Sequence, residues 1–408
     1  MVRAVMGLTR TFLVCSLLLA CGPSRRDLTG DGGLNDGPTC TTSISGKVFA
    51  PNGTLPLYNV KVYVPMTDPP AFEQGVQCGT CADGVPGGAI AEATSDSEGK
   101  FRLSGVPVGN NIPVIITTGK WRRRLTVPTV AACQDTPVAD GTFRLPKNRS
   151  EGELPRIAQV TGGCDALACI LSKIGIDSSE FGTNSSGPQS VTFYNGTGGS
   201  APGTPQPATA LWGNLAEMKK FDLLINSCEC DEYNPEKSSP DLLRQYADIG
   251  GRVFGSHYHY TWTRNLIPAW QGTATWTAGA YQTPDLVDTS SATGQAFSQW
   301  LMATGASTVP GQITLSQKIP NVSTVNGATV RWLYSSGTPA TTHYLSFQTP
   351  VGVPAANQCG KVVYAGMHVS SGFVDASFPS GCSGSFTPDE KALAFLLFDL
   401  TACTQVIF

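Results

Sequence analysis

From residue 156 onward, short apolar segments alternate with amphipathic helical segments, and this alternation constrains the fold more than any other feature. The segments RIAQVTG, QSVTFY, FDLLIN, RVFGSH and KVVYAGMH have the length and apolar character of buried strands. The helical patterns DALACILSKIG, ALWGNLAEM and SPDLLRQYADIGG lie between them, and TPDEKALAFLLFDLTAC follows the last strand. Because strands that alternate with helices form parallel βαβ units, we predict an open, doubly wound α/β domain over residues 156–408.

An insertion interrupts this domain at about residues 262–357. It is rich in Thr, Ser and Gly, and it contains the β-like segments TVRWLYS and THYLSFQT and one helical segment, GQAFSQWLMAT. We therefore predict a β-rich insertion.

A second predicted domain precedes the first, so the chain is expected to be multidomain. Residues 43–147 contain short β-like segments separated by turns, which indicates an antiparallel β-sandwich. The order of ISGKVFAPNGTLPLYNVKVYVP and ATSDSEGKFRLSGVPVG resembles the carboxypeptidase regulatory-like or CNA-B-type domain. This resemblance implies a transthyretin-like sandwich and brings no catalytic residues with it. Polar residues 148–155 form the predicted linker.

The N-terminal residues have the features of an export signal. In residues 1–20, Arg3 and Arg10 precede an apolar run that is too short to span a bilayer as a helix. The closing residues LLAC resemble a bacterial lipobox, which implies cleavage before Cys21 and acylation of its thiol. Residues 21–42 are rich in Gly, Pro and Asp and are a predicted flexible tether. The expected partner is a membrane of the cell envelope, and by the same resemblance Gly22 favours the outer membrane.

Beyond Cys15 and Cys21, eleven cysteines remain, which in an exported protein predicts disulfides and leaves at least one cysteine unpaired within the chain. The spacing Cys78-Gly-Thr-Cys81 predicts a loop disulfide, because no second CxxC is present to complete a zinc site. The other predicted pairs are Cys40 with Cys133, Cys164 with Cys169, and Cys382 with Cys403.

The charge distribution argues against nucleic acid as a partner. The chain has 27 basic and 30 acidic residues, and only 14% of its residues are charged. Such a composition provides no basic surface for a phosphate backbone.

Polar side chains follow several of the predicted strands at the point where each strand ends. In open α/β sheets, ligands bind at the carboxyl ends of the strands. Asp231 and Glu232 follow the third strand, the stretch from Ser256 to His259 follows the fourth, and His368 follows the late strand. We therefore predict that three histidines converge on one edge of the sheet with the residues that follow the third strand: His257, His259 and His368 with Cys228, Glu229, Cys230, Asp231 and Glu232.

The order of these segments also resembles a known fold. FDLLIN, a helix ending in YADIGG, RVFGSH and the later CGKVVYAGMH are similar, in this order, to class I glutamine amidotransferase-like folds and their trehalose-utilisation (ThuA-like) branch. A glutaminase of that type presents its nucleophile as G-x-C-x-G, whereas residues 255–259 read GSHYH. Cys228 ends a different strand, and Cys230 is expected to quench it as a disulfide partner. Glutaminase activity is therefore not predicted.

Three interpretations of this edge remain open. The first is a binding or structural site whose wall is aromatic and suits a glycan or peptide ligand, formed by Tyr258, His259, Tyr260 and Trp262. The second is hydrolase or isomerase chemistry with His257 and His368 as acid and base, Ser256 as nucleophile, and Asp231 or Glu232 orienting a histidine. The third is a metal site in which His257 and His259, on one face of an extended strand, chelate together with His368 and a carboxylate.

We place the binding interpretation first. It predicts a cell-envelope lipoprotein that binds an extracytoplasmic ligand, either carbohydrate or peptidoglycan-derived. The alternative is a hydrolase or isomerase of sugar derivatives with a His-centred site, so whether the chain is an enzyme stays open. No cofactor or metal is part of this prediction.

Overall fold

The computed structural model describes residues 40–79, 84–280, 282–369, 378 and 382–402, which belong to one compact unit. The predicted signal peptide, the lipidation site Cys21 and all but the last residues of the tether lie outside the described residues. None of the described helices combines the length and apolar character that a membrane crossing requires.

Two four-stranded sheets form the N-terminal region. Their strands are β1 (Ser43–Phe49), β2 (Lys61–Pro65), β3 (Ala89–Thr94), β4 (Lys100–Ser104), β5 (Gly109–Thr118), β6 (Trp121–Val130), β7 (Asp135–Pro137) and β8 (Phe143–Arg144). One sheet has the order β4-β1-β7, with β8 also paired to β1, and the other has the order β3-β2-β5-β6. The expected antiparallel pairing is present except where β7 and β8 run parallel to β1.

A long mixed sheet forms most of the C-terminal region. The strands from this point on are β9 (Ile157–Thr161), β10 (Phe181–Gly182), β11 (Val191–Asn195), β12 (Gln206–Pro207), β13 (Leu223–Asn226), β14 (Arg252–Ser256), β15 (Ala274–Thr275), β16 (Asp285–Val287), β17 (Gln312–Ile313), β18 (Thr324–Val325), β19 (Val330–Ser335), β20 (Thr341–Thr349) and β21 (Gly360–Ala365). The order is β10-β11-β9-β13-β14-β21-β20-β19-β16-β17. The first six strands of this order, β10-β11-β9-β13-β14-β21, run parallel to one another. The predicted β-rich insertion supplies the other four, β20-β19-β16-β17, which pair antiparallel and which we call the antiparallel wing.

Helices cover both faces of the parallel strands. They are α1 (Ala168–Lys173), α2 (Ala208–Trp212), α3 (Leu215–Met218), α4 (Pro240–Asp248), α5 (Pro268–Gln271), α6 (Ala292–Ala303) and α7 (Pro388–Thr401). Successive strand residues enter different cores: Leu224 packs with α2 and α4, whereas Ile225 packs with α1, α6 and α7. This alternation follows from the two-residue period of a strand, and it gives a layered, mixed α/β region.

The segment ALWGNLAEM forms two short helices, α2 and α3, where the sequence predicted one. The break lies at Gly213 and Asn214, and the Asn214 side chain accepts a hydrogen bond from the Glu217 backbone N–H. An asparagine that caps the next helix ends the previous one, because its backbone is extended.

The N-terminal sheets pack directly on the C-terminal region and share one hydrophobic core with α1, α6 and α7. The Tyr58 ring stacks on the Phe395 ring of α7 at 5.9 Å, and Trp300 of α6 donates to the Pro56 carbonyl at 2.8 Å. The disulfide Cys78–Cys359 joins the same two regions covalently. The two predicted domains are therefore fused through a common core, and their boundaries stay predictions.

The disulfides correct most of the predicted pairs. Cys40–Cys133 is present as expected, but Cys164 bonds Cys230, and Cys169 bonds Cys382. The predictions for Cys164 with Cys169, Cys78 with Cys81, and Cys382 with Cys403 are therefore wrong, while Cys81 and Cys403 themselves lie outside the described residues. Proximity in the sheet decides the pairing, since Cys164 and Cys230 follow the neighbouring strands β9 and β13. Four disulfides within the described residues indicate an extracytoplasmic compartment.

We predict that Glu151→Gln lowers the free energy of unfolding by about 1 kcal/mol near pH 7. Both oxygens of Glu151 accept from Arg144, at 2.6 and 2.7 Å, and these bonds lower the pKa of Glu151 from 4.5 to about 2. Because the folded-state pKa is depressed, the stabilisation is complete above about pH 4.5 and is lost as the pH falls towards 2.

Urea denaturation of wild type and variant, near pH 7 and near pH 3, measures this loss. Glu98→Gln, which breaks a fully exposed pair with Lys100, is the matched control and should change the stability less. An equal effect of Glu151→Gln at both pH values would contradict the assignment.

Candidate functional site

The candidate site lies at the carboxyl edge of β13, β14 and β21, which are adjacent and parallel. Cys228, His257 and His368 follow the ends of these strands. His257 Nδ1 lies 3.1 Å from His368 Nε2 and 3.5 Å from Cys228 Sγ. The structure thus brings His257 and His368 together with Cys228, which the sequence placed at this edge but excluded as a nucleophile.

His257 reaches this position through an unusual backbone conformation. Its φ of 36° lies in the left-handed region, which costs a non-glycine residue of order 1 kcal/mol or more. The turn ends β14 and begins a short 3₁₀ helix, His257–His259. The extended strand that the sequence predicted for these residues therefore stops at Ser256, and the His257 ring turns towards the neighbouring strand ends.

His368 is held by a segment of the insertion. Its backbone N–H donates to the Gln317 carbonyl at 3.0 Å, and Ile319 N–H donates to the Gly366 carbonyl at 2.8 Å. An isolated β-bridge between Lys318 and Met367 lies between these two bonds. The insertion thus positions the residues that follow β21, including His368.

Cys228 is the free cysteine among the described residues. The expectation that Cys230 quenches it is wrong, because Cys230 is bonded to Cys164. The side chain is fully buried, and burial raises the pKa of its thiol from 9.0 to about 11. The thiol is therefore protonated at neutral pH and is a poor nucleophile in this state.

The two histidines are also neutral at physiological pH. Burial and the adjacent His368 lower the pKa of His257 from 6.5 to about 3, and burial lowers the pKa of His368. A base this weak removes few protons at neutral pH, and its conjugate acid is absent. The cluster therefore presents one thiol and two imidazoles whose nitrogen lone pairs are available.

The other predicted catalytic residues are Ser256, Asp231 and Glu232, and their described hydrogen bonds are to groups other than the two imidazoles. Ser256 is fully buried, and its Oγ accepts from the Cys228 backbone N–H at 2.9 Å. Asp231 is exposed, and the Glu232 carboxylate accepts from Tyr260 Oη at 2.7 Å. In the described part of the chain, neither carboxylate has a hydrogen bond with His257 or His368, so a carboxylate–histidine pair is not formed.

His259 has a structural role. Its Nε2–H donates to the Ser227 carbonyl at 2.9 Å, and its Nδ1 accepts from Trp262 Nε1 at 3.2 Å. Burial and the nearby Lys237 hold the pKa of His259 well below its usual value. Because both ring nitrogens are occupied, the predicted chelation by His257 together with His259 is wrong.

An aromatic wall, which we define as Tyr258, Tyr260, Trp276 and Tyr364, borders the cluster. The Tyr258 ring lies 4.0 Å from the His257 ring and is partly exposed. Tyr260, Trp276 and Tyr364 continue the wall with ring distances of 5.3–6.2 Å. Trp262, a predicted wall residue, is instead buried against Trp212, with ring centroids 5.6 Å apart.

A buried ion pair that sequence reasoning missed holds the loop after β13. Lys237 Nζ lies 2.7 Å from Glu229 Oε2, and both side chains are 1% exposed. Nζ also donates to the Glu232 carbonyl at 2.8 Å and lies 4.8 Å from the Trp212 ring centroid. Nothing in the local sequence distinguishes these two residues, because their pairing depends on how the loop folds back.

The fourth histidine, His343, belongs to a separate buried cluster. Its Nε2 lies 2.7 Å from Ser335 Oγ and 3.1 Å from Asp285 Oδ1. A catalytic Ser-His-Asp triad places the acid on the other ring nitrogen. All three side chains are fully buried, so this cluster stabilises the antiparallel wing and offers no reaction site.

Comparisons with known proteins identify no family. No family model matches the chain, and no curated protein matches it. The crystal structure of SMU.1228c is similar over 60% of this chain and 99% of its own length, with 10% identity and a TM-score of 0.36. Two mutant type II cohesin-X-dockerin complexes from Acetivibrio cellulolyticus match 36% of this chain and 78% of theirs, with 18% and 16% identity and TM-scores of 0.18 and 0.17. Similarities this weak assign neither a fold nor a function.

We predict that Lys237→Met destabilises the protein by about 3–5 kcal/mol, because Glu229 would remain as a buried, unpaired charge. The double variant Glu229→Gln with Lys237→Met should recover part of this loss. Urea denaturation of both variants measures it.

Lys220→Met is the matched control, since Lys220 pairs with Glu217 at a more exposed position. This variant should lower the free energy of unfolding by less than about 1 kcal/mol. If Lys237→Met lowers the free energy of unfolding no more than Lys220→Met does, the buried pair of Lys237 and Glu229 does not stabilise the loop.

Proposed function

We propose that this chain is an exported, lipid-anchored cell-envelope protein that binds a carbohydrate-type ligand at the carboxyl edge of its parallel sheet. The observation that carries the proposal is the partly exposed Tyr258 ring, packed on His257 at the end of the aromatic wall. Sugars present C–H faces that stack on aromatic rings and hydroxyls that hydrogen-bond to polar groups. Aromatic and imidazole groups side by side suit both needs.

The disulfides support the proposed compartment. They require an oxidising environment, which agrees with export and with acylation at Cys21. In the cell envelope, peptidoglycan-derived sugars and other glycans are the carbohydrate ligands that such a site would meet. A peptide ligand would use the same aromatic surface.

The strand order supports a finer fold proposal. The order β11-β9-β13-β14-β21 corresponds to 2-1-3-4-5 when these strands are numbered along the chain, as in doubly wound sheets that bind ligands at the strand ends. We propose on this basis that the C-terminal region is a glutamine amidotransferase-like, ThuA-like domain without glutaminase activity. The transthyretin-like assignment of the N-terminal sheets is a proposal of the same kind.

A hydrolase or isomerase of sugar derivatives is the second candidate. The distance of 3.1 Å between His257 Nδ1 and His368 Nε2 favours this enzymatic candidate, because two adjacent imidazoles at the edge of a sheet are typical of sites that transfer protons. Ser256, Asp231 and Glu232 do not supply the nucleophile or the orienting carboxylate from the positions they occupy. Catalysis here would therefore need a further group that activates water.

We predict that a bound sugar or peptidoglycan fragment raises the melting temperature of the full-length protein, and that Tyr258→Ala weakens binding about fivefold. One lost ring contact of about 1 kcal/mol corresponds to a change of that order. Thermal-shift titration measures both effects. Tyr334→Ala, a partly exposed tyrosine on β19, is the control and should leave the Kd unchanged. Absence of stabilisation by any glycan would rule out this binding role.

For the enzymatic candidate, we predict that turnover of a glycoside or sugar ester is lost in His257→Ala and in His368→Ala. The two imidazoles are the polar groups that contact each other at the edge, so neither alone should sustain the reaction. Turnover that survives both substitutions would show that the activity belongs to another site.

A further inference from the structure

Three side chains with good metal-binding atoms converge at the carboxyl edge of β13, β14 and β21. Cys228 Sγ, His257 Nδ1 and a ring nitrogen of His368 all lie within 4.8 Å of one another. Within the described residues, this is the one group of three or more His, Cys, Asp or Glu side chains close enough to share an ion. We propose that Cys228, His257 and His368 bind a Zn²⁺ ion.

The observed separations match those that zinc imposes on its ligands. With Zn–S of about 2.3 Å, Zn–N of about 2.05 Å and tetrahedral angles, a sulfur and a nitrogen ligand lie roughly 3.6 Å apart and two nitrogens roughly 3.4 Å apart. The corresponding distances are 3.5 Å for Cys228 Sγ to His257 Nδ1 and 3.1 Å for His257 Nδ1 to His368 Nε2. These two pairs of donors are therefore spaced for one ion to within a few tenths of an ångström, and Cys228 Sγ lies within 4.8 Å of a ring nitrogen of His368.

The donor types select the metal. One thiolate and two imidazoles suit zinc, whereas calcium and magnesium require oxygen ligands. Three protein ligands leave the fourth tetrahedral position open to water, which is the arrangement of catalytic zinc sites. The proposal thus goes beyond carbohydrate binding, and it supplies the water-activating group that the hydrolase candidate lacks.

The surroundings hold each ligand in place. The Cys228 N–H donates to Ser256 Oγ, and the Cys228 carbonyl accepts from the Cys164 N–H at 3.0 Å. The His257 ring packs on Tyr258, and the His368 N–H is bonded to Gln317. Because the disulfide partner of Cys230 is Cys164, Cys228 keeps its thiol for the metal. Supporting contacts of this kind raise metal affinity by orienting the ligands before binding.

Zinc binding would exchange the thiol proton of Cys228 for the ion. When zinc binds, the Zn–S bond forms, the S–H bond breaks, and the proton leaves to solvent.

Direct metal measurement on the full-length protein, purified without a histidine tag, tests the proposal. We expect one zinc per chain by elemental analysis. After removal of zinc with a chelator, added Co²⁺ should produce the intense visible bands of a tetrahedral site and a near-ultraviolet thiolate-to-cobalt band. Cys228→Ser should lose the thiolate band, and His368→Ala should weaken metal binding at least about 100-fold. His368 is partly exposed, so this variant is expected to fold, which circular dichroism checks.

Glu236→Gln is the matched control, because Glu236 lies on the same loop, is not a proposed ligand, and its carboxylate accepts from Thr197 Oγ1. It should keep one equivalent of metal. Absence of stoichiometric metal and of a cobalt–thiolate band overturns the proposal, as does metal binding that persists in His257→Ala and His368→Ala. Sugar binding is measured separately on the zinc-free protein, so failure of the zinc site and failure of the carbohydrate site give different results.

Discussion

Parallel pairing of β13, β14 and β21 is the constraint on which the whole site depends. Each strand is buried on both faces, so successive residues enter the two cores on opposite sides of the sheet. A shift of one residue in any pairing would move every apolar side chain of that strand to the wrong core. Since the register is fixed in this way, the residues after the three strands emerge at one level, and Cys228, His257 and His368 come together without any local motif that specifies the contact.

Two buried features then hold the loop that carries Cys228. The disulfide Cys164–Cys230 ties this loop to the end of β9, and the Lys237–Glu229 pair anchors its far side against tryptophan rings. Burying both charges costs several kcal/mol per ion, which only good geometry and further hydrogen bonds offset. Here Glu229 also accepts from Thr197 N–H at 2.8 Å, and Lys237 also donates to a backbone carbonyl. These bonds and the disulfide fix the position of the loop that carries Cys228 relative to β9 and the tryptophan rings.

The sequence predicted the strand–helix alternation and the approach of His257 to His368, because both follow from apolar periodicity and from the geometry of parallel strands. It did not predict that the Cys228 thiol stays free beside the two histidines. The nearby Cys230 suggested a disulfide that would quench the Cys228 thiol, whereas strand order places Cys230 beside Cys164, which follows β9. The prediction that His257 and His259 chelate a metal from one extended strand was wrong for a local reason. His257 has a left-handed backbone conformation, and the strand ends just before it. The shared core between the two regions depends on side-chain packing across hundreds of residues, which periodicity does not encode.

The protonation states at the edge decide what chemistry it can perform. A protonated thiol and two neutral imidazoles give neither a thiolate nucleophile nor an imidazolium acid at neutral pH. Their close approach is acceptable only while they stay neutral or share a cation, because two protonated imidazoles at 3.1 Å would repel each other in a poorly hydrated environment. Stacking of a sugar on Tyr258 needs none of these groups in a charged form. The proposed binding and the proposed catalysis at this edge therefore have separate requirements: sugar stacking uses the partly exposed Tyr258 ring, and catalysis requires an electrophile held by Cys228, His257 and His368.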